Sequence, residues 1–184
     1  MNTEITRHTL AVLVDNEAGV LSRVARLFSG KSYNIESLAV GTTQDPAVSR
    51  MTIEMLTDEK QAGLICSQLR KLICVHSVKR LSAERAIRRE LLLIKTAAPT
   101  HAARNEIIQI ANIFRSSIID VSTGSLTIAV IGDDNKVEAI QKLLEEFGIL
   151  ELVRTGTVAL ERGRLTIDEQ TKEKGEFDYG KNAL

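Results

Sequence analysis

The sequence predicts an α+β protein made of two successive βαββαβ units. Three observations carry that expectation. Short runs rich in β-branched and aliphatic residues alternate with segments whose apolar residues recur every three to four positions. Turn-forming residues punctuate these segments at matching places in both halves. The element order of residues 8–81 then recurs over 90–153, although the two halves share no visible sequence similarity.

In the first half, a strand is expected over 8–14, running into the polar turn Asp15-Asn16-Glu17-Ala18-Gly19. A helix over 19–29 follows, with Val20, Val24, Leu27 and Phe28 on one face. Strands at 33–43 and 47–56 flank Thr42 to Pro46 (TTQDP), a turn signal that joins them as a hairpin. A helix over 58–71 aligns Ala62, Ile65, Leu69 and Leu72, and a strand at 73–81 closes the unit. This order suits a ferredoxin-like split βαβ sandwich, with helices on one face of an antiparallel sheet.

The second half repeats it. A strand at 90–96 holds Leu91-Leu92-Leu93-Ile94, and a helix at 104–114 aligns Ile107, Ile110, Ala111 and Phe114. Strands at 117–121 and 126–131 surround Ser122-Thr123-Gly124. A helix at 136–147 presents Val137, Ile140, Leu144 and Phe147, and a strand at 150–153 ends the set. The polar run SAERAIRR, Ser82 to Arg89, marks the boundary. The expected division is a first domain at 1–82, a linker at 83–89, a second ferredoxin-like domain at 90–165 and a charged, mobile tail at 166–184.

Composition narrows the function classes. Charge is balanced, 24 basic against 24 acidic side chains, so no global basic field attracts nucleic acid or an anionic membrane. With no Trp, two Tyr and four Phe, the core must be aliphatic. Cys66 and Cys74 lack the spacing of a metal or redox motif and read as reduced core thiols. Met1 to Thr9 carries Glu4, Arg7 and His8 without an apolar core, unlike a secretory signal. Nowhere do 18 apolar residues run together. A cytoplasmic protein is expected.

The turn at Asp15 to Gly19 feeds a helix N-terminus, where unpaired N–H groups and the positive dipole end suit a small anion such as a carboxylate. A free amino acid needs donors for its carboxylate, acceptors for its ammonium group and apolar surface. Gly19 to Leu21 offer the donors, Asn16 and Asn34 the side-chain oxygens, Ile35 and Val20 the apolar surface. A plain strand-to-helix turn, capped by Asp15 or Asn16 and relaxed at Gly19, accounts for the same residues. Elsewhere the bland readings prevail. Arg80, Arg85, Arg88 and Arg89 are interleaved with Glu84 and Glu90, which suits a solvated or interface linker. His8, His76 and His101 lie in different elements, so no metal site is expected. Ser22, Ser29 and Ser49 lack a nucleophile-elbow context. Ile131-Gly132-Asp133-Asp134-Asn135 reads as a helix cap. No reaction centre emerges.

The stretch VLVDNEAGVLSRVARLFSGKSYNIESLAVGTTQDPAVSRMTI closely resembles the N-terminal ACT domain of the small, regulatory subunit of acetolactate synthase (acetohydroxyacid synthase). The likeness runs through Asn16, Gly19, Leu21, Ser22-Arg23-Val24, Phe28, Tyr33 to Leu38 and Ser49 to Thr52. It continues at Arg89-Glu90-Leu91, Phe114-Arg115, Ile118 to Val121, Arg154-Thr155-Gly156, Ala159-Leu160 and Arg162-Gly163, covering about 7–165. One departure stands out. Ser32 precedes Tyr33-Asn34-Ile35 where the family usually carries Gly, with Gly30 two residues earlier, so a rearranged helix exit is expected.

The resemblance implies an ACT homodimer whose sheets join side by side, with a branched-chain amino acid, valine foremost, held between the ACT domains. The effector segment it implies is Asn16, Glu17, Ala18, Gly19, Val20 and Leu21 of one subunit with Asn34 and Ile35 of its neighbour. It implies no catalytic residue and no metal in this chain. Thiamine diphosphate, FAD and magnesium are expected on a catalytic partner subunit, which the chain would activate and subject to end-product inhibition. A free-standing ACT-type amino-acid sensor or transcriptional regulator is the alternative, and a DNA-binding module would favour it. None is visible in the sequence.

Overall fold

The structure is a computed structural model that describes residues 4–167. The chain forms two compact units, one comprising residues up to Ile87 together with the chain from Ala159, the other Arg88–Val158. The sequence-based division carried the second domain through 165. Residues 159–167 instead group with the first unit, and the tail expected at 166–184 lies outside the described residues beyond Ile167.

The first unit runs β1 (Thr6–Asp15), α1 (Val20–Ser29), β2 (Ser37–Thr42), β3 (Val48–Thr57), α2 (Glu59–Leu69) and β4 (Val75–Leu81). Its sheet is antiparallel in the order β2-β3-β1-β4. The register pairs Leu10 with Ile53 and Val12 with Met51, setting the larger apolar side chains on one face. There they meet Val20, Val24 and Phe28 of α1 and Ala62, Ile65 and Leu69 of α2 in one largely aliphatic core. The α1 stripe read from the sequence is thereby realised, with Leu27 partly buried at its edge. Cys66 and Cys74 are both buried and unpaired, and burial pushes the Cys66 thiol above its ordinary value.

Strand β1 is buried on both faces, because a second layer covers the side away from the helices. Ala11, Leu13 and Leu81 pack there against Ala159 and Ile167 of the returning chain. Lys79, 3% exposed, reaches Glu161 at 2.5 Å and donates to the Thr166 carbonyl at 3.0 Å. Arg50 donates to Ala159 O at 2.7 Å and Ser77 to Ile167 O at 3.2 Å.

The exit from α1 keeps the usual left-handed stop, so the rearrangement expected from the Gly-to-Ser departure does not occur. Ser32 itself adopts φ 57°. Tyr33 N–H bonds to Phe28 O and Ser32 N–H to Ser29 O, each at 3.1 Å, which is the Schellman arrangement. Serine carries the strained conformation that glycine would adopt freely. Arg115 plays the same part after α3, at φ 49°, with Ser116 N–H bonded to Ala111 O.

The second unit contains β5 (Ala86–Ala97), α3 (His101–Ile113), β6 (Ser117–Val121), β7 (Ser125–Gly132), α4 (Asp134–Glu145) and β8 (Ile149–Arg154). Its sheet order is β6-β7-β5-β8, and a short strand β9 (Val158–Glu161) leads back into the first unit. Leu92, Ile94, Leu126, Ile128 and Val130 meet Ile107, Ala111, Val137, Ile140 and Leu144 in its core. Two local readings change. Ala86 to Arg89, read as linker, already belong to β5. Strand β9 carries little sequence signal because, of its apolar side chains, Ala159 is buried while Val158 and Leu160 are exposed.

Candidate functional site

The turn between β1 and α1 is built by backbone geometry rather than by a capping side chain. Gly19 takes φ 85°, ψ −7°, a left-handed conformation that suits glycine, and precedes the first helical residue without a side-chain cap. The three other helices differ. Asp58, Thr100 and Asp133 each cap their helix by accepting a backbone N–H. The turn at Ile131 to Asn135 is thus the helix cap its residues suggested. At α1 the residues proposed as caps are engaged elsewhere. The Asp15 carboxylate meets His76 Nε2 at 2.7 Å, and the Asn16 amide bonds Pro46 and Ser49.

The start of α1 therefore presents donors. Val20 N–H makes a long bond of 3.4 Å to Glu17 O, and Arg23 N–H bonds Gly19 O at 3.1 Å. The N–H groups of Leu21 and Ser22 find no acceptor among the described residues. The first helical turn contains no acidic residue; of the two carboxylates in the preceding turn, Asp15 is held by His76 and Glu17 is exposed. A Cβ placed on Gly19 would meet nothing within 4 Å, so the space in front of the helix is open.

The expected effector residues separate into two groups. Asn16, Glu17, Ala18 and Gly19 are exposed around the turn, and Leu21 is 44% exposed beside them. Val20 buries its side chain in the core at 2% exposure, so it brings only its backbone to the turn and not the apolar surface assigned to it. Asn34 is exposed after the α1 exit, its amide donating to Glu36 at 2.6 Å, and Ile35 packs partly against the core. Among the described residues no hydrogen bond joins Asn34 to the Asn16 turn. The contacts of Asn16 with the β2–β3 hairpin were not apparent in the sequence, where Ser49 lies 33 residues away.

A cavity of about 760 Å³ opens elsewhere in the first unit, between the outer sheet face and the returning chain. Several of its charged lining residues are paired, Lys79 with Glu161, His76 with Asp15 and Arg50 with the Ala159 carbonyl. Among the described residues no three His, Cys, Asp or Glu side chains gather as a metal ion would require. No helix among the described residues is long and apolar enough to cross a membrane.

Comparison with known proteins identifies the family of both halves of the chain. Residues 10–77 match the family described as the AHAS small subunit-like ACT domain, and residues 89–163 that described as the small subunit of acetolactate synthase. The acetolactate synthase small subunit of Aquifex aeolicus is 44% identical over 170 residues, covering 92% of this chain and 88% of that one. The probable acetolactate synthase small subunit of Archaeoglobus fulgidus is 48% identical over 157 residues, covering 85% and 98%. The crystal structure of the acetolactate synthase small subunit from Thermotoga maritima superposes with a TM-score of 0.82 at 37% identity, over 88% of this chain and all of that one. A first unit with the ACT fold, a second unit matching the small-subunit family and relatives aligned along nearly the whole length show that the chain belongs to the acetolactate synthase small subunit family.

Proposed function

We propose that the chain is the regulatory subunit that activates the acetolactate synthase catalytic subunit and makes it sensitive to valine. The observation that carries the reading is the uncapped start of α1, with its left-handed Gly19 and unpaired donors at Leu21 and Ser22. A carboxylate held there gains both hydrogen bonds and the helix dipole. The exposed oxygens of Asn16 and, across a homodimer, Asn34 are suited to the ammonium group, and Leu21 with Ile35 to a branched side chain. Thiamine diphosphate, FAD and magnesium belong, in this reading, to the catalytic partner. Two buried, unpaired thiols suit a cytoplasmic setting.

The test is to titrate the chain into purified catalytic subunit with and without valine. The native chain raises acetolactate formation, and valine reverses the gain. In Gly19→Asp a carboxylate stands near the ligand's own. At about 4 Å and an effective dielectric near 20 the repulsion is roughly 4 kcal/mol, an upper figure that solvent reduces. Gly19→Asn controls for the left-handed backbone, which costs a non-glycine residue about 1–2 kcal/mol. Activation persists in both variants, and valine sensitivity falls much further in Gly19→Asp than in Gly19→Asn. Unchanged sensitivity in folded Gly19→Asp would place the effector elsewhere.

A further inference from the structure

Asn16 opens the α1 turn, and the β2–β3 hairpin grips it from two sides. Its Nδ2 donates to Pro46 O at 2.8 Å, and its Oδ1 accepts from Ser49 Oγ at 3.0 Å. Its backbone N–H donates to Ala47 O at 2.7 Å. A carbonyl oxygen only accepts, so the amide nitrogen must face Pro46 and the amide oxygen Ser49. Ser49 must then be the donor. The hairpin keeps its own shape by other means: Asp45 N–H bonds Thr43 Oγ1, Ala47 N–H bonds Asp45 Oδ1, and Val48 N–H bonds Asp45 O. The Ser49 hydroxyl, on a residue 6% exposed, has Asn16 as its partner among the described residues.

We propose that Ser49 is a positioning residue for effector recognition. It locks the Asn16 amide in one orientation, so that the second lone pair of Oδ1 is presented as an acceptor in the turn that leads into α1. The group it prepares for is the ammonium of a free amino acid whose carboxylate rests on α1. This rests on the reading of the turn as an amino-acid site and adds the element that orients it. Without the Ser49 donor, the amide is held by Pro46 alone and can tilt about that bond, and its oxygen loses a fixed direction.

Calorimetric titration of L-valine into the full-length chain tests this, with the thermal midpoint of each variant recorded. Ser49→Ala weakens valine binding roughly three- to tenfold, the range expected for a lost neutral hydrogen bond. Ser49→Thr, which restores a hydroxyl, recovers most of the affinity. Ser77→Ala removes an equally buried hydroxyl that faces the returning chain, and it leaves affinity native even where the midpoint drops. Asn16→Ala combined with Ser49→Ala binds no more weakly than Asn16→Ala alone, because the serine acts through that amide. Native affinity in Ser49→Ala, additive losses in the double variant, or weakening that simply follows the midpoint in Ser77→Ala would each overturn the positioning role. Absence of any valine heat from the native chain would overturn the amino-acid site itself, and the two failures are distinct.

Discussion

Glu161→Ala tests the layer that the returning chain forms over the first sheet. Lys79 and Glu161 are 3% and 9% exposed and meet at 2.5 Å. Removing one partner of a buried pair typically destabilises by about 3–5 kcal/mol, because the remaining charge stays desolvated. Here the loss has a ceiling, since the segment can lift away and let Lys79 reach water. Burial of Ile167 holds it by roughly 1.5–3 kcal/mol. The Arg50 and Ser77 hydrogen bonds to its backbone add about 1 kcal/mol each. The expected loss is therefore about 3–5 kcal/mol, accompanied by detachment of the segment. At about 2–4 °C per kcal/mol for a chain of this size, the thermal midpoint falls by roughly 6–20 °C. Urea unfolding measures the first effect, and trypsin cleavage after Arg162 and Arg164 reports the second. Replacing both partners, Lys79→Met with Glu161→Leu, leaves stability within about 1 kcal/mol of native or raises it. A single variant within about 0.5 kcal/mol of native, the spread of an ordinary surface change, with unchanged trypsin resistance, would refute the reasoning.

Ser32→Gly relieves the left-handed strain at the α1 exit and raises stability by up to about 1 kcal/mol, partly offset by the entropy glycine adds to the unfolded chain; a lowered urea midpoint would contradict it. Iodoacetamide labels neither Cys66 nor Cys74 in the native protein and both after unfolding, as intact-mass measurement will show. Burial raises the Cys66 pKa above its ordinary 9.0, so the unfolded chain releases that proton first. The associated stability is complete below pH 9 and declines as pH rises through the higher folded value, which Cys66→Ala abolishes. Sedimentation with valine should give a homodimer at micromolar concentration, and a stable monomer would remove the neighbour that supplies Asn34.

The sequence by itself determined what depends on near neighbours. Helical spacing announced Val20, Val24 and Phe28, as well as Val137, Ile140 and Leu144, because side chains three and four residues apart share a face whatever the tertiary context. The hairpin at Thr42 to Pro46 and the turn before α1 were legible for the same reason, and so was the family, whose resemblance lies in those local segments. Tertiary structure alone decided what depends on distant partners. It sent the Asn16 amide to Pro46 and Ser49 instead of to the helix start, and the Asp15 carboxylate to His76. It also brought Ala159 and Ile167 onto a sheet whose partners Arg50 and Ser77 stand 109 and 90 residues away. Alternation within β1 offered no clue to that second layer, since a strand covered on both faces loses its polar side. Nothing in the spacing of Lys79 and Glu161 foretold their pairing, because the burial that makes it matter exists only once the chain has folded back.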